Sequence, residues 1–259
     1  MNKKIVDLKK IKEPWSKDDI KDAYFTDFQK TLSVIESTEG GKLWSKIENI
    51  NVIFTIFNLC KYDLFKTIED FADAYSNASS KKEFLEIEEE KYTYLIKKHI
   101  LCTSAAASSF ANHAMKLIKK SFVNEYSNKI KSEFIDDGLS KFLIDFMNIM
   151  FYEKIVEIGR NIRWDKNGEN LIWLISSEEL LEYKKWNKKS KDFINDSQGK
   201  IDICKVFQAY NDKLAKFYKW YEKEAKSYYA EILNPYFLYE KYLKEIENSF
   251  SLEKAIHKK

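Results

Sequence analysis

Residues 80–122 read SKKEFLEIEEEKYTYLIKKHILCTSAAASSFANHAMKLIKKSF, without a Gly or a Pro. Ser80 and Glu83 have capping-box spacing, in which the serine oxygen takes an orphan helix amide and the glutamate reaches back to the cap. Nothing after them interrupts the pattern. The stretch therefore predicts one long helix, about 60 Å from end to end at 1.5 Å per residue. Its centre, Ser104-Ala-Ala-Ala-Ser-Ser109, is made of small residues. Small side chains admit a neighbouring helix at close range, so this segment is expected in the middle of a bundle.

The rest of the chain has the same grain. Only 6 Gly and 2 Pro occur in 259 residues, well under the average of about 7% and 5%. Sandwiches and barrels need many turns, and turns need those residues. The expected fold is mainly α: a multi-helix bundle with one long central helix and a single inserted β-hairpin, in one domain spanning 1–259. Residues 1–14 read as a ragged arm. A helix follows from Trp15, capped by Ser16 with Asp19 at the capping-box position, and Gly40-Gly41 ends it. Leu43, Trp44, Ile47, Ile50, Phe54, Phe57, Cys60, Leu64 and Ile68 stripe a second helical stretch, with a break expected near Lys61–Asp63. Shorter helices are expected at 124–135 and 139–157. Ile158–Ile175 changes period. β-branched and aromatic residues flank Asp165-Lys-Asn-Gly168, whose Asn-Gly suits a hairpin turn. Ser176 caps a helix to about Asp196, and Ser197-Gln-Gly199 is a turn. An aromatic helix then runs from Ile201 to about Leu233, where Pro235 breaks it. A final helix, Tyr236–Glu247, precedes a polar tail at 248–259.

Charge excludes little: 44 Lys+Arg against 41 Asp+Glu leave +3, too weak to argue for nucleic acid alone. The charged start lacks a secretory apolar run, and the apolar stretches are too short to span a bilayer. Three scattered cysteines, Cys60, Cys102 and Cys204, are expected as buried thiols in a reducing compartment. A cytoplasmic protein without a membrane partner or a cofactor is expected. The thin glycine content, with no Gly-rich phosphate loop, GxSxG or HExxH, disfavours kinases, Walker ATPases, Rossmann enzymes and α/β-hydrolases.

Three constellations remain. His99, Cys102 and His113 share a face of the long helix, but His113 lies about 16 Å from Cys102 at helical rise. No fourth ligand is spaced to complete a metal site, so bundle-facing side chains are the plainer interpretation. Lys116, Lys119 and Lys120 form one basic cluster with Lys129 and Lys131. Lys184, Lys185, Lys188, Lys189 and Lys191 form another around Trp186. Basic residues interleaved with an aromatic can hold phosphates and stack a base, whereas a solvated helix face is the commoner use of such runs. Lys184, Lys185, Trp186, Lys188, Lys189, Lys116 and Lys120 are the binding candidates. The aromatic stripe of the helix from Ile201 reads as core.

Residues 80–230 resemble a group of bacterial all-helical proteins near the HEPN superfamily. The resemblance rests on Leu101–Met115, on Phe142–Lys154, on the hairpin at Ile158–Ile175, and on Leu180-Leu-Glu-Tyr-Lys-Lys-Trp186 before an aromatic helix. It implies an R-N-x-x-x-H motif on the helix ahead of the hairpin. In HEPN ribonucleases the Arg binds the scissile phosphate and the His shuttles protons, usually across a dimer of two such motifs. Here those positions hold Met147 and Tyr152, and only Asn148 is kept. Met has no charge to stabilise a phosphorane, and losing one such contact costs about a hundred- to thousand-fold in rate. A phenol loses its proton near pH 10, far from the value useful for proton transfer at neutral pH. Arg160 and Arg163 fall on the hairpin and do not stand in for Met147. The expectation is a non-catalytic HEPN-like binding module for RNA or a protein, as a homodimer, in stress response or defence. Two alternatives stay open. One is a weak or altered metal-independent ribonuclease using Tyr152, Lys154, Asn148 and His113. The other is a helical scaffold for protein–protein contacts.

Overall fold

The computed structural model describes residues 6–117, 123–165 and 168–256. The protein is mainly helical, with a small three-stranded antiparallel sheet. Its contacts divide the chain into two compact units, Met1–Asn49 with Glu222–Lys259, and Ile50–Tyr221. Both crossing points fall inside helices, so no linker composition marks them in a sequence that reads as one domain.

The unit built from the two ends begins with a 3-10 turn, Leu8–Lys10, capped by Asp7. Leu8 is buried, so this part of the expected ragged arm is anchored. α1 (Lys17–Thr26) carries the predicted box, with Ser16 and Asp19 satisfying each other's backbone amides. Asp27 then caps α2 (Phe28–Glu36). α10 (Ala230–Ile256) packs against this end, where the Trp15 amide donates to the Tyr239 hydroxyl at 3.2 Å and the two rings lie 5.0 Å apart. Gly40-Gly41 opens α3 (Glu39–Asn77) instead of ending a helix. The Thr38 hydroxyl accepts from the Gly41 amide. A Cβ on Gly40 would meet the Ile232 carbonyl at 2.6 Å and the Tyr236 Cβ at 2.7 Å, so glycine serves close approach here. Pro235 lies inside α10, six residues after the real break at Tyr229. Residues 248–256, expected as a polar tail, continue that helix.

The second unit holds the greater part of α3, then α4 (Lys81–Leu117), whose first turn has the Ser80 hydroxyl accepting from the Glu83 amide. Two long helices stand where one was expected. α3 runs unbroken through Lys61–Asp63 because Phe57, Leu64, Ile68 and Phe71 keep one continuous buried seam. The two helices are antiparallel: Phe54 meets Phe110 at 6.2 Å and Phe71 meets Tyr92 at 5.1 Å. α5 (Val123–Ile130) passes into a π-helical turn, Lys131–Ile135, before α6 (Gly138–Tyr152).

β1 (Gly159–Asp165) and β2 (Gly168–Ser176) pair antiparallel, closing with Asp165 opposite Gly168. The two turn residues between them lie outside the described residues. The hairpin is extended by a third strand, β3 (Lys200–Asp202), beside β2. Gln198 and Gly199, at φ 56° and 92°, fold the chain back to make it. The expected helix from Ser176 to Asp196 is two pieces, α7 (Ser177–Leu181) and α8 (Lys188–Asp196). α9 (Ile203–Tyr228) supplies Phe207, Tyr210, Leu214 and Phe217 to the core, as its stripe predicted.

Candidate functional site

The small residues of α4 have the structural consequence expected of them. α6 approaches α4 closely along this stretch, and Phe142, Leu143, Phe146, Ile149 and Met150 of α6 are buried. Asp137 fixes the start of α6 by accepting from the Ser140 amide at 2.7 Å. Lys213 of α9, mostly buried, reaches Asp137 at 2.6 Å and donates to the Glu133 carbonyl at 3.0 Å. The helix ends at Tyr152, where the amides of Glu153 and Lys154 both turn back to the Ile149 carbonyl.

This packing leaves the opposite face of α6 beside α4. Between the helices lies an open depression of about 330 Å³, lined by Ala105, Ser108, Ser109, Asn112 and His113 of α4 and by Met147, Phe151 and Tyr152 of α6. Phe151 is 49% exposed, Tyr152 80% and the following Ile155 50%. His113 Nδ1 faces the Ser109 carbonyl at 2.9 Å. A ring nitrogen that bonds a carbonyl must carry the proton, which leaves Nε2 as the acceptor.

Two of the three degenerate motif positions, Met147 and Tyr152, therefore line one depression and bring in His113. Asn148 is exposed and is not in the lining. Lys154 is drawn to Glu179 at 3.5 Å. His99 and Cys102 lie elsewhere along α4; Cys102 and His113 are exposed, not bundle-facing as expected, and Cys60 and Cys204 are only partly buried. Burial, then Lys98, holds the His99 imidazolium below its ordinary pKa, with Asp63 opposing. Among the described residues no three His, Cys, Asp or Glu side chains are grouped to hold a metal ion.

The basic candidates do not form a cationic cleft. Trp186 is 5% exposed, donates from Nε1 to the Leu180 carbonyl at 2.6 Å, and stacks on Phe142 at 5.7 Å. It is a core residue, unavailable to a base. Lys185 pairs with Glu153 at 2.8 Å and Lys189 with Asp136 at 2.6 Å, while Lys184 and Lys188 are exposed. Of Lys116 only the helical backbone is described, and Lys120 lies outside the described residues.

Ser109, Asn112 and Phe151 were not singled out in the sequence. Ser109, Asn112 and His113 recur at helical spacing on α4, and that was the available signal. Phe151 adjoins Tyr152 with ring centroids 6.2 Å apart. No helix among the described residues is long and apolar enough to cross a membrane. Compared with family models, curated proteins and solved structures, the chain matches none of them.

Proposed function

We propose that this chain is a non-catalytic, HEPN-like binding module whose α4–α6 depression takes the surface of a partner protein. One observation carries the choice of protein over RNA. Phe151 and Tyr152, which line the depression, stand in water, while Lys185 and Lys189, expected to hold phosphates, are paired with carboxylates. Exposed aromatic side chains beside a concavity are typical anchors of protein interfaces. RNA affinity, by contrast, rests on unpaired cations. The element order supports the HEPN-like part: a long helix with small central residues, α6, a hairpin, Trp186 and an aromatic helix follow one another as the resemblance implies.

A photo-crosslinking residue at position 151 tests this in cells. A protein adduct that disappears when Ser109→Trp fills the depression supports the proposal. An RNA adduct, or a protein adduct indifferent to Ser109→Trp, refutes it. Because His113 and Tyr152 border the same depression, an altered ribonuclease is the second reading. RNA cleavage without metal, abolished by both Tyr152→Phe and His113→Ala, would establish that one instead.

A further inference from the structure

We propose that the open edge of β2 takes a further strand, supplied by an extended segment of another protein with apolar residues on one face and a carboxylate at the end nearest β3. This edge is separate from the α4–α6 depression. β2 is nine residues long, but β3 covers it only at Leu174, Ile175 and Ser176. The chain then turns into α9 at Ile203. One hydrogen bond fixes which groups are left open: the Ser177 amide donates to the Gly199 carbonyl at 3.0 Å. Bonded positions of an antiparallel pair recur at every second residue. Ile175, Trp173, Leu171 and Glu169 therefore turn their amides and carbonyls to this side, while Asn170 and Ile172 turn theirs to β1, which pairs with them. No strand among the described residues lies beside Glu169 and Leu171 on the side of β3. An unpaired edge is a template for an incoming strand, and β3 already uses this one.

Two features beside the edge choose the segment. The first is an apolar floor. Directly opposed residues of neighbouring strands share a face, so a strand in line with β3 sets alternate side chains next to Ile172, away from buried Trp173 and Ile175. On that face Ile172 and Leu174 line a concavity of about 700 Å³ together with Phe193 of α8 and Val206 of α9. Apolar side chains of an added strand suit it. The second feature is charge. Lys200 and Lys205 are exposed and line the same concavity. Lys205 reaches Asp202 only at 3.9 Å, and that carboxylate already accepts from the amides of Cys204 and Lys205. Lys200 has no carboxylate partner among the described residues. A carboxylate at the leading end of the segment complements both lysines. In this mode of recognition main-chain bonds supply affinity, and the pockets for alternate side chains supply specificity.

The probe is a labelled peptide, Glu-Val-Thr-Val-Thr-Thr, whose two valines share the face of Ile172 while the next two threonines fall opposite Leu171 and Glu169. Fluorescence anisotropy with the full chain should show saturable binding. N-methylating those two threonine amides should abolish it, because they face β2, whereas N-methylating the valine amides should not. Lys200→Glu combined with Lys205→Glu should weaken binding about tenfold, with the melting temperature held because both side chains are exposed. Amide exchange followed by NMR should slow at Glu169 and Leu171 when peptide is added. Tyr152→Ala, at the depression, should bind as the wild type does. No binding up to millimolar peptide, binding indifferent to the methylated threonines, or slowed exchange elsewhere instead overturns the proposal. Binding lost with Tyr152→Ala overturns it too and moves the peptide to the depression. Exchange at Glu169 and Leu171 that slows with rising chain concentration alone overturns the choice of occupant and makes it a second copy.

Discussion

Trp186→Ala separates a core tryptophan from a base-stacking one. The indole is 5% exposed, lies over Phe142 at 5.7 Å, meets Tyr183 edge-on at 5.9 Å and donates to the Leu180 carbonyl at 2.6 Å. Truncation removes a large buried side chain, which costs about 3–5 kcal/mol. The Leu180 carbonyl loses the indole donor but keeps the Tyr183 amide at 3.2 Å, so the middle of that range applies. In a chain of this size each kcal/mol lowers the melting temperature by about 2–4 °C, giving a fall of about 10 °C. Scanning calorimetry beside urea unfolding measures it, and Trp186→Phe should recover part of the loss by refilling the space over Phe142. A melting point within about 2 °C of wild type, with RNA affinity lost, would refute the reasoning and return Trp186 to a nucleic-acid face.

Other expectations follow from the same structure. Lys213→Met should destabilise by about 3 kcal/mol, near the lower end for a broken buried pair, because Glu133 and Asp137 keep 27% and 23% of their side-chain surface in water; a double-mutant cycle with Asp137→Asn should show strong coupling. His99 has a folded pKa below its ordinary 6.5 through burial and Lys98. The unfolded chain therefore binds more protons across that interval, so stability is full above pH 6.5 and falls as pH drops through the folded value. His99→Phe should flatten that slope in urea titrations at several pH values. Thiol labelling should find Cys102 first, since it is exposed. Burial, then Cys102, pushes the Cys60 thiol up, and burial, then Asp202, pushes Cys204 up to about 12. Cys204 should react only on unfolding, because the thiolate is the nucleophile; rapid labelling of native Cys204 would contradict its placement.

The parts of this fold that local chemistry decides were readable in the chain. The Ser16–Asp19 and Ser80 caps, the small residues before α6 and the core stripe of α9 each depend on residues within a turn or two. What escaped depended on distant packing. Gly40-Gly41 looked like a stop, but a Cβ on Gly40 would strike α10 and one on Gly41 the carbonyls of Ile35 and Glu36. The turn at Ser197-Gln-Gly199 was legible, but the strand after it was not, because β3 is only the three residues Lys200–Asp202 and exists through its pairing with β2. Trp186 among five lysines suggested an exposed aromatic, and only the nearness of the Leu180 carbonyl and the Phe142 ring explains its burial. At the candidate site Met147, Tyr152 and His113 were named from the sequence, whereas Phe151, Ser109 and Asn112 were not, because a register between two helices is not written in either one.

The measurement closest to the central claim is the adduct formed in cells by a photo-crosslinker at position 151. The account predicts a protein adduct that Ser109→Trp abolishes while the melting temperature holds. An adduct with RNA, or a protein adduct that survives filling of the depression, would contradict it.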